Sequence, residues 1–158
     1  MCLFIEKNKN YKEPHIAKRD IVCYKYLYEC DGKIKAPYFS YIYNLRVVHK
    51  TYMSFFDYEG AEYAYVETGF HSFSNRFSCI ERLLKCTCRW LYKPYKCVIP
   101  KGAKYYKGLN NELTSDKIIV LSKIKINWFD KLVVHLMSEY REFREYLSYS
   151  IDFNFRNN

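Results

Sequence analysis

Short apolar and Tyr-rich runs bounded by polar turn residues recur along most of the chain, and apolar positions take on helical spacing in two places. Ile21 to Glu29 (IVCYKYLYE) reads as a strand, and Asp31-Gly32 follows it as a two-residue hairpin turn. Pro37 interrupts the return strand and puts it at an edge or a bulge. Tyr38 to Asn44 is aromatic and extended, and Leu45 to Phe56 (LRVVHKTYMSFF) contains a further strand. After a turn at Glu59-Gly60, Ala61 to Phe73 reads as a strand running through Gly69. Tyr95 to Pro100, a turn at Lys101-Gly102 and Ala103 to Lys107 form a strand pair, closed by a loop over Gly108 to Asn111. Asp116 to Ile126 (DKIIVLSKIKI) has the clearest strand pattern in the chain.

The first helical stretch covers about 75–88, with Ser74 or Ser78 as cap and Ile80, Leu83 and Leu84 on one face. It fades near Cys88, and Pro94 excludes its continuation. The second covers about 128–149. Asn127 is a good N-cap, and Asp130 three residues on completes a short capping box. Trp128, Leu132, Leu136, Tyr140, Phe143 and Leu147 make an apolar stripe suited to a sheet or a dimer partner. No repeat and no Gly/Ser linker divides the chain, so a single domain over 1–158 is expected, with 1–19 as an N-terminal arm and 151–158 as a frayed tail. The expected fold class is α+β: a mostly antiparallel, strongly twisted sheet with one short helix and one long C-terminal helix.

Composition adds two features. Eighteen Tyr and eleven Phe are far more rings than a core of this size requires. They suit half-buried strand positions or a platform on which bases stack. The formal net charge of +9 attracts polyanions, although Lys-rich composition alone also produces it. Seven Cys, an odd number, with no secretory pattern before them, point to free thiols and a cytoplasmic setting. No stretch has the roughly 20 apolar residues of a membrane-spanning helix.

Candidate chemistry is sparse. Cys79, Cys86, Cys88 and Cys97 match zinc spacing poorly, and buried thiols are the simpler reading, so neither a metal nor a cofactor is expected. Val47 to Thr51 (VVHKT) carries His49 in the h-h-H-x-T element of two-histidine phosphoesterases, but Phe70 to Phe73 (FHSF) lacks the second Thr or Ser. His49 and His71 are therefore weak catalytic candidates. His71 follows Gly69 at a strand end near Glu67, where it either serves a site or orders the backbone. No phosphate-cradling or nucleophile-elbow motif occurs, and enzymatic activity is not the favoured reading. Basic and aromatic residues interleave around Lys25, over Arg89 to Lys96 (RWLYKPYK) and over Lys101 to Lys107 (KGAKYYK). A cation beside a ring holds a base and its phosphate together. The ligand-binding candidates are therefore Lys25, His71, Arg89, Trp90, Tyr92, Lys93, Lys101, Lys104 and Tyr105.

Ile21-Val22-Cys23-Tyr24-Lys25, Gly69-Phe70-His71-Ser72-Phe73, and Cys97 to Tyr106 with Thr114 to Val120 form a further pattern. In these three separated pieces it resembles small uncharacterised proteins of gut bacteria and their phages. The long C-terminal helix lies outside the resemblance. The resemblance implies an accessory protein of a phage or mobile element that acts by binding, either sequestering a host nucleotide signal or blocking a host protein. The expected function is a non-catalytic binder of an anionic, base-containing ligand, a signalling nucleotide or nucleic acid. The alternatives are an interaction module that homodimerises through its C-terminal helix, and an enzyme acting on nucleotide or ADP-ribose phosphoesters.

Overall fold

Alternation along Ile21–Cys30 puts Cys23, Lys25 and Leu27 on one buried face, and the chain organises around this strand. The computed structural model describes residues 3–7, 11–37, 41–87 and 89–156, with side chains to residue 142. The chain divides into two compact units, Met1–Lys125 and Ile126–Asn158.

Among the described residues the first unit holds thirteen strands. In chain order they are β1 (Leu3–Glu6), β2 (His15–Ile16), β3 (Ile21–Cys30), β4 (Lys33–Lys35), β5 (Ile42–Tyr43), β6 (Val48–Lys50) and β7 (Phe55–Phe56). There follow β8 (Tyr63–Val66), β9 (Phe70–Phe73), helix α1 (Arg76–Leu84), β10 (Tyr92–Ile99), β11 (Lys104–Lys107), β12 (Glu112–Ser115) and β13 (Lys117–Lys123). Ten strands form one sheet in the order β2-β11-β12-β9-β3-β10-β13-β6, with β4 bonded to β3 and β5 to β4. The small sheet is β1-β8-β7. All strand pairings between these elements are antiparallel, and one parallel bridge joins Leu45 to Val120. The expected class is observed: a mostly antiparallel α+β fold with a short helix and a long C-terminal one.

One flank of β3 is shared by two neighbours. Tyr24 pairs with Phe73 of β9, while Tyr28 to Cys30 pair with β4 through the Asp31-Gly32 turn, where both residues have positive φ. On the other flank β10 follows β3 over its whole length, from Tyr92 opposite Tyr28 to Ile99 opposite Ile21. Cys23, Leu27, Tyr43, Phe70, Cys97, Ile99, Ile118 and Val120 belong to the main core. A second core, of Leu3, Ile5, Val66 and Tyr106, joins the small sheet to β11. Helix α1 lies against β3, β9 and β10.

Several boundaries differ from expectation. The stretch Ala61 to Phe73 is two strands in two different sheets, because Gly69, at φ 120°, turns the chain between them. Leu45 to Phe56 likewise divides into β6 and β7. The arm contributes β1 and β2, whose short apolar runs find edges to extend. Neither Ser74 nor Ser78 caps α1: Asn75 does, accepting from the Ser78 amide at 2.8 Å. The 75–88 estimate overshoots, as the helix ends at Leu84. Tyr38 lies outside the described residues, as does Cys88.

The second unit is helix α2 (Trp128–Arg156), which continues past 149 into the segment expected to fray. Its start is the expected reciprocal cap. Asn127 Oδ1 accepts from the Asp130 amide at 2.8 Å, and Asp130 Oδ2 accepts from the Asn127 amide at 2.9 Å. The side chains of Phe143 and Leu147 lie outside those described. Among the described residues no helix is long and apolar enough to cross a membrane.

Candidate ligand cavity

Where the flank of β3 passes from β9 to β4, the sheet opens into a cavity of about 340 Å³. Lys25 and Tyr26 of β3 reach it from one side, and Ala36, Pro37, Tyr41 and Tyr43 from the β4–β5 segment. Thr51 and Tyr52 come from the segment after β6, and Thr68 to His71 with Phe73 from the entry and body of β9. Rings dominate the wall. Tyr41 meets Phe70 edge-on at 5.5 Å and Tyr43 at 5.0 Å, while Tyr26 stacks on Phe73 at 6.2 Å. Such arrangements lock the rings against one another and leave apolar faces at the opening. Gly69 makes this wall possible: a Cβ there would lie 2.4 Å from Thr114 Cγ2 and 3.1 Å from Met53 Cγ.

Among the described residues Lys25 is the single charged side chain on the wall, and no Asp or Glu lines it. Its Nζ donates to the carbonyl oxygen of His71 at 2.5 Å. Burial lowers the amine from its ordinary range to about 8, with only the thiols of Cys97, Cys23 and Cys79 acting in the other direction. Those thiols are themselves pushed up by burial, Cys23 to about 11 and Cys79 to about 12, so they are neutral at pH 7.

His71 is neutral for the same reason. Burial, then the Lys25 charge, lower it to about 4, against a small opposing effect of the Glu67 carbonyl. Nε2 lies 3.3 Å from Glu67 O and Nδ1 lies 3.0 Å from Thr114 Oγ1. The carbonyl can only accept, so Nε2 carries the proton and Nδ1 accepts from Thr114. Both ring nitrogens are thus engaged in ordering the chain around Gly69. His49 is equally occupied. It is buried, its Nε2 lies 2.9 Å from Asn44 O and 3.1 Å from Asn44 N, and its Nδ1 meets the Tyr41 hydroxyl at 3.1 Å.

The remaining candidates fall elsewhere. Tyr92 packs edge-on against Tyr26 at 5.8 Å and so backs the cavity wall. Arg89 and Trp90 belong to a short 3-10 turn before β10, with Trp90 66% exposed and Lys93 Nζ donating to its carbonyl at 3.3 Å. Lys101 sits in the turn tied to Asp20, and the Lys104 amide donates to Asp116 Oδ1 at 2.9 Å. Tyr105 pairs with the His15 ring at 5.3 Å and lines a second, open groove of about 730 Å³ with Lys18, Arg19 and Lys107. Only Lys25 and His71 of the nine candidates line the cavity. Sequence reasoning missed Tyr41, Tyr43, Tyr52 and Phe70, whose signal was the density of rings before and after His49. Among the described residues no three His, Cys, Asp or Glu side chains gather to hold a metal ion.

No protein-family model matches the chain, and neither curated proteins nor solved structures give a significant match.

Proposed function

We propose that this is a non-catalytic binding protein whose cavity receives the ring of an anionic, base-containing ligand, with Lys25 facing its charge. The observation that carries this reading is a buried amine on an aromatic-walled cavity that no carboxylate lines among the described residues. A buried cation without a counter-ion is costly, and an anionic ligand supplies the missing partner. A volume of about 340 Å³ is at the small end of ligand sites, which favours a mononucleotide-sized molecule over a polymer. The engagement of both His71 nitrogens and of the His49 ring argues against acid–base chemistry by either. In keeping with the resemblance of its sequence, the protein would sequester a nucleotide signal on behalf of a phage or mobile element.

Native mass spectrometry of protein purified from cells tests this against the same sample after denaturation. The expected result is a retained mass on the order of a few hundred daltons that absorbs near 260 nm, absent from a Lys25→Met preparation. A clean mass in the wild type, with no nucleotide restoring it on addition, would overturn the reading.

A second reading has its own observation. Trp128, Phe129, Leu132, Leu136 and Tyr140 of α2 are all exposed large apolar side chains. Homodimerisation through this helix would cover them, and light scattering at micromolar concentration distinguishes a dimer lost in Leu132→Glu/Leu136→Glu from a monomer.

A further inference from the structure

The amine that suits an anion also has the setting of a nucleophile. We propose, resting on the cavity as a ligand site, that Lys25 captures a carbonyl compound there, forming a reversible imine with an aldehyde or ketone borne on a flat apolar ring.

The geometry supplies three requirements. First, the amine is positioned. Lys25 lies on a strand held on both flanks, opposite Tyr95 of β10, and it lines the cavity with under a tenth of its surface exposed. Second, among the described residues no negative charge holds a proton on it. The titratable groups that act on it are Cys23 on its own strand, Cys97 on β10, Cys79 on α1 and His71 on β9, with Tyr95 as its cross-strand neighbour. The three thiols are held in their protonated form, His71 is neutral, and the hydroxyl of Tyr95 donates to Glu29. Burial brings the amine to about 8, so roughly a tenth of it is free base at pH 7, against a few parts in ten thousand for a solvated lysine. Third, a neutral amine can keep its N–H bond to His71 O while its lone pair stays free. The same protonated thiols are poor nucleophiles, so they do not compete.

The step is balanced without a further reagent. The nitrogen lone pair attacks the carbonyl carbon, a C–N bond forms, and the C=O π pair moves to oxygen. That oxygen takes the proton that the nitrogen loses, giving a carbinolamine. The hydroxyl then leaves as water with a second proton, and the nitrogen lone pair closes the C=N bond. Amine and carbonyl give imine and one water, with no change of oxidation state. The ring-lined wall selects carbonyls on flat apolar rings over small hydrophilic ones.

Benzaldehyde with sodium cyanoborohydride tests this on the intact wild-type chain, since hydride transfer to the imine carbon fixes the adduct as a benzylamine. Intact mass and peptide mapping then locate the label. The expected result is a benzyl group on Lys25, gained at least ~10-fold faster at pH 7 than on any surface lysine, beside whatever label a free α-amine, with its ordinary pKa of about 8, takes. Its rate should rise with a midpoint near pH 8, and urea should abolish the preference. Labelling of Lys25 no faster than the surface lysines, or a preference that survives urea, would overturn the proposal. Benzyl alcohol, the same ring without the carbonyl, separates the two readings by NMR titration. If it shifts the resonances of Tyr41 and Phe70 while Lys25 stays unlabelled, imine capture falls and the cavity stands as a ligand site. If neither binds, both fall.

Discussion

Lysine behaves differently in the cavity and in the edge groove of the first unit. Lysine enters the cavity as Lys25, enclosed by rings, and enters the edge groove as Lys18 and Lys107, beside Arg19 and the paired rings of His15 and Tyr105. Burial lowers the Lys25 amine to about 8 and leaves it without a carboxylate. The groove is open, and its cations keep their water. Depth therefore decides what a positive charge can do. In the cavity it is an energetic liability that a ligand can relieve, whereas in the groove it is an inexpensive, additive attraction for anions.

The sharpest way to break the cavity is to remove the glycine that shapes its wall. In Gly69→Ala the new methyl would meet Thr114 and Met53 at a φ of 120°, which L-residues rarely adopt. Overpacking and backbone strain together should cost about 4 kcal/mol. Gly102, also at positive φ, has open space around it, and alanine there should cost only about 1 kcal/mol. Urea unfolding of the two variants reads the difference directly.

The next effect is pH-dependent. His71 is held near 4 in the folded protein, below its ordinary value of 6.5, so the unfolded chain binds the extra proton first as pH falls. The folded state should therefore lose stability between pH 6.5 and 4, by roughly 2 to 3 kcal/mol from this residue. His71→Gln retains hydrogen-bonding capacity without titrating. The difference between wild type and this variant, followed by denaturant midpoints across that window, isolates the contribution. A difference that is flat with pH would mean that the imidazole is not desolvated by the cavity wall.

Lys25 acts with the same sign in an alkaline window. Its folded value of about 8 lies below 10.5, so the proton on the amine destabilises the fold fully below pH 8, and the penalty is relieved between pH 8 and 10.5. The penalty at pH 7 is about 3 kcal/mol, offset by about 1 for the bond to His71 O, so Lys25→Met should be more stable than wild type by about 2 kcal/mol. That advantage should shrink by roughly 1 kcal/mol between pH 7 and 9. Above pH 9 the buried thiols act the other way: they stay protonated in the fold while the unfolded chain releases their protons. Comparison with Lys107→Met, expected to stay within about 0.5 kcal/mol of wild type, sets burial apart from charge.

These regions were not equally legible in the sequence. The strands around Lys25, the hairpin at Asp31-Gly32 and the reciprocal cap of Asn127 and Asp130 follow from local chemistry, because period, turn residues and caps are short-range. The division of Ala61 to Phe73 between two sheets was hidden, since both halves alternate and only the fate of Gly69 tells them apart. The cavity was hidden further. Its walls come from four separate segments, and the rings of Tyr41 and Tyr43 meet that of Phe70 only through long-range pairing. The basic-aromatic run at Arg89 to Lys96 stands out because its residues adjoin in sequence, yet none of them lines the cavity: Tyr92 backs its wall and Tyr95 is the cross-strand neighbour of Lys25.

The smallest effect on stability should come from the groove, and there the readout is binding. Its Lys18, Arg19 and Lys107 flank two rings, the arrangement that tracks a backbone while a base stacks. If single-stranded oligonucleotide lies there, log K should fall with log salt, and each cation that meets a phosphate adds about 0.7 to that slope. Lys18→Ala/Arg19→Ala should therefore lower the slope by up to about 1.4 and weaken binding of every sequence alike, with the melting temperature unchanged. Lys25→Met should leave this slope untouched, because its amine is enclosed in the cavity. A slope that drops in Lys25→Met and not in the groove variant would reverse the assignment and make the cavity the place where phosphate is met.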